Sequence, residues 1–271
     1  MKGFYLKILI VFVCFTGCET EDDSTTPEPP AYEDVKLLTQ IDGELKFQYE
    51  DGKLKKGLYR RVENWWYISA FEVEYEGEKI KRVLFNPDNT FPVEDGFDFS
   101  VTPEDGIYWV HNYHYENDRL KRITNEDNEI LKEFKYDSKN NVIEEFNSRS
   151  YSAHDYGKVT TTYNYDENGI LSSYRQEIHN EPAIEGGIIT DDKINPRYVL
   201  FKEFGFVLPS FFSNITNTGV VKNNIIAIFE GDELKYEASY NYSESYPSEY
   251  TYAHYNDEGQ RNSNSSFFTY N

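Results

Sequence analysis

Four segments of the chain alternate large apolar residues with polar ones and then reach a pair of residues that favours a tight turn. In every case a Leu or Ile stands two positions after that pair. Alternation with a period of two is typical of a β-strand with one buried face. The pattern therefore predicts four β-hairpins, which span residues 47–55, 73–81, 113–121 and 227–235.

The turn residues of these hairpins fix the register of their strands. Each central pair tolerates positive φ, as two-residue type I′ or II′ turns require. The central pairs are Asp51-Gly52, Gly77-Glu78, Asn117-Asp118 and Gly231-Asp232. Such turns place the last aromatic residue before the turn opposite the aliphatic residue after it. The predicted apolar pairs are Tyr49–Leu54, Tyr75–Ile80, Tyr115–Leu120 and Phe229–Leu234.

The opposite face of the same hairpins carries residues of opposite charge. The predicted pairs are Glu50–Lys53, Glu76–Lys79, Glu116–Arg119 and, one step further from the turn, Glu74–Lys81. Each cross-strand pair contributes about 0.2–1 kcal/mol. We expect these pairs to select the register, because a slip by one residue would turn the charges into the core.

Three further segments have a longer turn, in which Asn140, Gly169 or Gly259 takes the left-handed position of a bulged hairpin. The predicted pairs across the first two of these turns are Tyr136–Val142 and Tyr165–Leu171. Seven turns imply up to fourteen strands. Because an apolar sheet face must be covered, we predict an all-β fold. It is an antiparallel hairpin meander that forms a large twisted or rolled sheet, with a two-layer sandwich as the alternative.

Two segments interrupt the repeat. Residues 86–106 are rich in Pro, Asp, Glu and Phe, and they predict a long loop. Residues 180–223 contain three prolines and the apolar blocks 198–206 and 211–212. Loops of this length in a compact domain are usually functional or covering elements. We predict that the second segment is a long covering loop, with room for a short helix, over the open side of the sheet.

The chain begins with the pattern of a bacterial export signal. Lys2 and Lys7 flank the apolar stretch 4–15, which leads into Thr16-Gly17-Cys18. Residues 15–18 resemble the lipobox, in which a Gly or Ala precedes the cysteine that is lipidated, although Phe15 stands where Leu is usual. We predict a signal peptide over 1–17, a lipidated Cys18 that opens a flexible acidic, Pro-rich tether over 18–36, and one β-hairpin-repeat domain over 37–271.

Composition excludes several classes of protein. The 271 residues include 48 acidic and 27 basic side chains, and the formal net charge of −21 is unsuited to nucleic acid. An aromatic content of 17% is too high for a disordered acidic chain. Cys14 and Cys18 are the two cysteines of the sequence, so a chain that has lost its signal peptide cannot form an internal disulfide.

The spacing of Tyr, Gly and Leu in the hairpins resembles that of YD/Rhs-type repeats, which form wrapped β-sheets. The segments Asp191-Asp192-Lys193-Ile194-Asn195-Pro196 and Asn223-Asn224-Ile225 make the resemblance more specific. Over most of residues 40–271 the sequence resembles a family of Bacteroidota outer-membrane lipoproteins built around a domain of unknown function. The resemblance implies a lipid-anchored protein of the outer membrane, with the cell surface favoured and the periplasmic face as the alternative. It implies no activity and no catalytic residues.

No catalytic, cofactor or metal site is predicted. The sequence has no His-Glu-x-x-His, no Gly-x-Ser-x-Gly and no Gly-rich phosphate loop. His111 and His114 have the spacing of a metal-binding pair, but on a strand this spacing puts them on opposite faces. Aromatic residues in excess of the core are the remaining signal. Among them, Trp65, Trp66 and Tyr67 are the predicted ligand-binding residues, with sheet packing as the alternative.

These observations predict a non-enzymatic surface lipoprotein that is attached to the membrane through Cys18 and binds a glycan or an envelope protein. A polysaccharide-acting hydrolase with two catalytic carboxylates is the alternative, but 48 acidic residues do not single out a pair. An integral outer-membrane barrel is a third interpretation. It is disfavoured because a lipid anchor would be redundant and because alternation places Lys56, Arg82 and Arg122 on the apolar face.

Overall fold

The computed structural model describes residues 36–41, 45–61, 67–86, 109–148, 158–207, 219–256 and 258–271. They belong to one compact unit, Lys36–Asn271. Its strands and its helix are β1 (Leu38–Ile41), β2 (Leu45–Glu50), β3 (Lys53–Arg61), β4 (Tyr67–Glu76), β5 (Lys79–Asn86), β6 (Trp109–Glu116), β7 (Arg119–Thr124), β8 (Ile130–Tyr136), β9 (Val142–Asn147), β10 (Val159–Tyr165), β11 (Leu171–Ile178), β12 (Ile184–Ile194), α1 (Pro196–Phe204), β13 (Asn223–Glu230), β14 (Glu233–Ser243), β15 (Tyr246–Tyr255) and β16 (Arg261–Tyr270).

The strands form one closed barrel. Each strand pairs antiparallel with its neighbours in the chain, and β1 also pairs with β16, where Leu38 lies opposite Tyr270 and Ile41 opposite Phe268. The predicted all-β antiparallel meander is confirmed. Closure is more specific than the predicted rolled sheet, and the described strands form one sheet rather than the two layers of a sandwich. Closure leaves no unpaired strand edge in the barrel wall.

The predicted hairpin registers are confirmed. All six predicted apolar pairs lie directly opposite one another: Tyr49–Leu54, Tyr75–Ile80, Tyr115–Leu120, Tyr136–Val142, Tyr165–Leu171 and Phe229–Leu234. Both central residues of the turn Asn117-Asp118 have positive φ, 50° and 63°. Asn140, Gly169 and Gly259 occupy the predicted left-handed positions. Turn chemistry therefore determines the register of this barrel.

A one-residue bulge follows the aliphatic residue of each of these hairpins, and it corrects one predicted charge pair. In the β4–β5 hairpin, Tyr75 lies opposite Ile80 but the next pair is Glu74 with Arg82, so that Lys81 is the extra residue. Arg82 Nε lies 2.6 Å from Glu74 Oε2, and Arg82 Nη2 lies 2.8 Å from Glu74 Oε1. The predicted pair Glu74–Lys81 is therefore wrong.

The same bulge reverses the alternation of side chains along the returning strand. Inward-facing Ile80 and Val83 are fully buried although they are three residues apart, and Arg82 between them faces outward. Lys56 and Arg122 hold the corresponding position after the bulges of their own hairpins. The prediction that Lys56, Arg82 and Arg122 lie on the apolar face is therefore wrong.

The inner face of the barrel is apolar and the described outer face is charged. Fully buried inner residues include Leu54, Ile123, Phe134 and Val142. The outer face carries ion pairs between neighbouring strands, which are Arg82–Glu74, Lys121–Glu133, Lys135–Glu144 and Arg175–Glu185, and the pair Arg261–Glu237, which spans β15. No helix among the described residues is long and apolar enough to cross a membrane.

Helix α1 and the residues after it fill the interior of the barrel. Phe201 packs against Phe134 of β8 at 5.7 Å between ring centroids, and Phe206 stacks on Phe71 of β4 at 5.0 Å. On the other side, Arg197 lies 5.3 Å from the ring of Phe268 in β16. Because one short segment touches strands from around the barrel, it lies inside the closed sheet. The predicted helix in the covering segment is confirmed.

The expected fourteen strands become sixteen because β1 and β12 join the sheet. Strand β1 has four residues, too few to show alternation. Strand β12 lies within residues 180–223, which the sequence predicts to be a covering loop. It contains Gly186 and Gly187 and the polar residues 190–193, and it is followed by helix α1 instead of a hairpin turn. These features hide the strand in the sequence. Its role in the sheet comes from pairing with β11 and β13.

Candidate functional site

Tyrosine hydroxyls join successive hairpins at one rim of the barrel. We call it the turn rim, because the β2–β3, β4–β5, β6–β7, β8–β9 and β10–β11 turns lie there. Three hydroxyls donate to a backbone carbonyl of the preceding hairpin: Tyr75 to Leu54 (2.9 Å), Tyr136 to Leu120 (2.7 Å) and Tyr165 to Val142 (2.9 Å). In these three bonds the acceptor is the aliphatic residue of the preceding apolar pair. Burial raises the pKa of Tyr75 to about 12, so the donor stays protonated at physiological pH.

Basic side chains make the complementary contacts toward the following hairpin. Lys53 Nζ lies 2.9 Å from Glu78, and Lys79 Nζ lies 2.5 Å from Asp118 in the next turn. Lys53, Lys79 and Arg119 also lie over the tyrosine ring of the next hairpin. The distances to the ring centroids are 5.4 Å for Lys53 over Tyr75, 5.2 Å for Lys79 over Tyr115 and 5.6 Å for Arg119 over Tyr136. The repeated Tyr, turn acid and Lys or Arg of the sequence thus connect neighbouring hairpins.

A cavity of about 570 Å³ opens at the turn rim between α1 and three hairpin turns. We call it the helix-side cleft. Its aromatic lining is Tyr115, Tyr136, Tyr198, Phe201 and Phe204. Its charged lining is balanced, with three acidic residues (Glu78, Asp118, Glu203) and three basic ones (Lys79, Arg119, Lys202). The structure therefore brings aromatic rings together in a cleft of no net charge.

The end of helix α1 shapes the floor of the helix-side cleft. Gly205 ends the helix in the left-handed conformation (φ 70°), and its N–H bonds back to the carbonyl of Phe201 at 2.8 Å. A Cβ atom at this position would lie 2.9 Å from the Tyr115 hydroxyl. The reversal sends Phe206 into the core, while Phe204 stays at the rim, 5.7 Å from the ring of Tyr49.

Helix α1 is held in place by the two segments that carry the resemblance described above. Asn195 Oδ1 accepts from the Arg197 N–H at 3.0 Å, and Asn195 Nδ2 donates to the Val221 carbonyl at 3.2 Å. Asn224 Nδ2 donates to Asp191 Oδ2 at 3.3 Å, and the Tyr242 hydroxyl donates to the same oxygen. These residues cap the helix and tie its entry to its exit, which is a structural role.

A second group of polar residues lies inside the barrel, away from the turn rim. Lys132 Nζ and Glu145 Oε1 are 2.7 Å apart, and their side chains are 7% and 10% exposed. The Tyr163 hydroxyl donates to Glu145 Oε2 at 3.2 Å. His111 is also buried, and burial, followed by the charge of Lys132, lowers its pKa to about 3. The sequence holds one signal for this group. Lys132 is two residues from Phe134 on the same strand, so alternation places both side chains on the inner face.

The two histidines of the suspected metal pair face opposite sides of β6, as the strand geometry predicts. His111 points into the barrel, and His114 Nε2 lies 2.9 Å from the hydroxyl of Thr124. Among the residues that the structure describes, no group of three or more His, Cys, Asp or Glu side chains could hold a metal ion.

The residues predicted from sequence to anchor or bind lie largely outside the described part of the chain. Cys18, Trp65 and Trp66 are outside it, and Tyr67 is the first residue of β4, with no described side chain. The helix-side cleft was not predicted. Its residues come from hairpin turns within 78–140 and from the segment 198–205, so they are far apart in sequence.

No family model and no curated protein matches the sequence. Among solved structures, the chain is similar to a porin-like protein from Bacteroides uniformis ATCC 8492, with 10% identity over 86% of this chain and 98% of that one and a TM-score of 0.38. A porin-like protein from Bacteroides vulgatus ATCC 8482 is 14% identical over 84% of this chain and 78% of that one, with a TM-score of 0.26. Neither likeness is high enough to transfer a function to this chain.

Proposed function

We propose that the protein is a lipoprotein of the outer membrane, anchored through Cys18, whose barrel binds a neutral oligosaccharide in the helix-side cleft without altering it chemically. The observation that carries the proposal is the convergence of five aromatic rings in a cleft whose charges balance. Sugar rings present apolar C–H faces that pack on aromatic side chains, and their hydroxyls need neutral donors and acceptors. Asn117 and Asn140 line the same cleft and supply amide groups.

The dimensions and charges of the cleft favour a neutral ligand over a charged one. Its volume of about 570 Å³ lies within the range of small-molecule sites. Lys79 is paired with Asp118, and Lys202 Nζ lies 3.5 Å from Glu203. An anionic or cationic ligand would have to break these pairs, whereas a neutral saccharide leaves them intact.

The same charges favour binding over hydrolysis. A glycosidase needs one carboxyl group with a raised pKa to protonate the leaving oxygen. In the cleft, the hydrogen bond from Lys79 lowers the pKa of Asp118. Asp118 is therefore a poor general acid, so the hydrolase alternative gains no support from this carboxyl group.

The polarity of the barrel supports a lipid anchor in place of a membrane-embedded wall. A lipid-facing barrel needs an apolar outer band, and a Lys or Arg at the bilayer midplane costs about 2–4 kcal/mol. The described outer face instead carries interstrand ion pairs such as Arg82–Glu74 and Arg261–Glu237. Such a wall is suited to water, so attachment to the membrane would depend on Cys18.

The test is calorimetric titration of the purified full chain with neutral oligosaccharides (β-glucan, xylan and mannan fragments) and with anionic oligogalacturonate. We expect at least one neutral series to bind and oligogalacturonate not to bind. Tyr198→Ala should weaken binding about two- to twelvefold, because one stacked ring contributes about 0.5–1.5 kcal/mol. The matched control is Phe267→Ala, since Phe267 lies on β16 and is 55% exposed.

Two results would contradict the proposal. One is the absence of binding to every neutral oligosaccharide. The other is equal binding by the Tyr198→Ala and Phe267→Ala variants, which would place the ligand elsewhere on the barrel. Release of reducing sugar during the titration would instead support hydrolysis.

A further inference from the structure

Three of the buried polar residues inside the barrel have the side chains needed to form an amide cross-link. Lys132 of β8 and Asn147 of β9 lie directly opposite each other in the register. Both point into the barrel, and each is less than 8% exposed. Glu145 precedes Asn147 by two residues on the same face, and its carboxylate contacts Lys132 Nζ at 2.7 Å. An amine, a carboxamide and a carboxylate thus share one buried site.

The residues opposite this site in the register are mostly apolar and buried, and the Tyr163 hydroxyl is a further polar contact, to Glu145. Ile123, opposite Lys132 on the other neighbouring strand, is 1% exposed, and Phe134, opposite Glu145, is fully buried. Val159, opposite Asn147 on β10, is also buried. The same interior lowers the pKa of His111 to about 3, which shows how strongly it disfavours an additional charge. Glu145 Oε1 lies 2.7 Å from Lys132 Nζ, so a proton can pass between the two groups through one contact.

We propose that Lys132 and Asn147 join in an isopeptide bond, with Glu145 as the group that carries the protons. Glu145 takes a proton from the Lys132 ammonium, and the neutral Nζ attacks Asn147 Cγ. The Nζ–Cγ bond forms and the Cγ–Nδ2 bond breaks. Glu145 delivers this proton to the departing nitrogen, takes a second proton from Nζ and delivers that one as well, so the nitrogen leaves as ammonium and the carboxylate is restored. No oxidant, metal or second substrate is required.

Two physical arguments favour this reaction over a permanent ion pair. Directly opposed residues on one sheet face have Cβ atoms about 4.5–5.5 Å apart, which is within reach of a lysine side chain. Two reacting groups that are held together in one folded site react as if one of them were present at an effective concentration of about 10⁵ M or more. The described barrel also contains no cysteine, so this bond would be a covalent link that needs no oxidising compartment.

The first test is the intact mass of the full chain after denaturation. We expect a mass lower than that of the processed chain by one ammonia. Trypsin should then leave residues 123–135 joined to residues 140–149, because an acylated Lys132 is not cleaved. A wild-type chain with an unmodified mass, and with free peptides 123–132 and 140–149, would overturn the proposal. This measurement does not depend on the folding of any variant.

Variants then test the three roles separately. Lys132→Arg and Asn147→Ala should show no mass loss, and Asn147→Asp should lose one water in place of one ammonia. Glu145→Gln keeps both reacting groups and should stay unlinked, with circular dichroism to confirm that it folds. Lys135→Ala is the matched control, because Lys135 pairs with Glu144 on the outer face and should leave the link intact. A linked Glu145→Gln chain would contradict the role given to Glu145.

Discussion

The Tyr75 hydroxyl donates a 2.9 Å hydrogen bond to the backbone carbonyl of Leu54, which belongs to the preceding hairpin. Leu54 is itself the residue opposite Tyr49, so the bond links two apolar pairs of the repeat. The same relation joins Tyr136 to Leu120 and Tyr165 to Val142. In these three hairpins one tyrosine thus both packs against the core and ties its hairpin to the previous one.

Removing one such hydroxyl should weaken the barrel. We predict that Tyr75→Phe lowers the free energy of unfolding by about 1 kcal/mol, because the ring stays and one hydrogen bond to a buried carbonyl is lost. Urea unfolding followed by circular dichroism measures the change. Tyr174→Phe is the control, since the Tyr174 hydroxyl has no hydrogen-bond partner among the described residues. Equal effects of the two substitutions would show that the bond to Leu54 does not contribute.

Acid should destabilise the fold through His111. Burial lowers the pKa of His111 from 6.5 to about 3, so below pH 6.5 the unfolded chain binds a proton that the folded chain does not. Stability from this group is therefore complete above pH 6.5 and is lost as the pH falls toward 3. The loss at pH 4.5 is about 3 kcal/mol.

The experiment compares urea unfolding at pH 7.5 and pH 4.5. His111→Leu should remove about 3 kcal/mol of the pH dependence, whereas His179→Ala, a change at an exposed residue, should keep the dependence of the wild type. Burial is the larger cause of the shift, so the prediction holds whether or not Lys132 carries its charge. An unchanged pH dependence in His111→Leu would refute this assignment.

Two adjacent glycines of β12 should respond in opposite ways to alanine. A Cβ at Gly186 would lie 2.2 Å from the Phe229 carbonyl oxygen, whereas a Cβ at Gly187 meets nothing within 4 Å. We predict that Gly186→Ala destabilises the barrel by about 1–3 kcal/mol, because a backbone atom must move. Gly187→Ala should be neutral or stabilise by up to about 1 kcal/mol. The measurement is thermal unfolding of both variants under the same conditions. An unchanged melting temperature in Gly186→Ala would mean that β12 does not lie as close to Phe229 as the structure places it.

Loss of the helix cap should affect the helix-side cleft as well as stability. Asn195→Ala removes the cap of α1 and the bond to the Val221 carbonyl, which together are worth about 2 kcal/mol. Because α1 forms one wall of the cleft, ligand binding should weaken with it. Asn241→Ala is the control, as Asn241 is exposed and bonds to Glu249. If the Asn195→Ala variant is destabilised but still binds the ligand normally, then ligand binding does not depend on the position of α1.

The turns of the barrel are predictable from sequence, and its bulges are not. Asn117, Asp118 and Gly169 are residue types that favour positive φ, so the sequence predicts the turns at these positions. The turns in turn predict the pairs Tyr115–Leu120 and Tyr165–Leu171. Lys81 and Arg82 are both cations, and nothing in their identity says which of them faces Glu74. The bulge at Lys81 selects Arg82, and nothing in the alternation of the sequence reveals that bulge.

The sites are harder to predict, because they depend on contacts between distant segments. The helix-side cleft needs α1 inside a closed barrel, and closure depends on the pairing of β1 with β16, about 230 residues away in sequence. The buried pair Lys132–Glu145 spans two strands, and the bulge near Ile143 changes the phase of Glu145 relative to Val142. Charged residues in alternating segments are normally assigned to the solvent face, and here that assignment fails.

The tyrosine bonds of the turn rim all run in one direction along the chain. The hydroxyls of Tyr75, Tyr136 and Tyr165 each meet a carbonyl that was synthesised before them, so these acceptors are already in place when the tyrosine is made. Helix α1 and Phe206 pack inside the barrel against β8 and β4, so the interior is completed only after residues 196–206 have been made. The seam between β1 and β16 waits for the last strand, so the barrel closes late in folding.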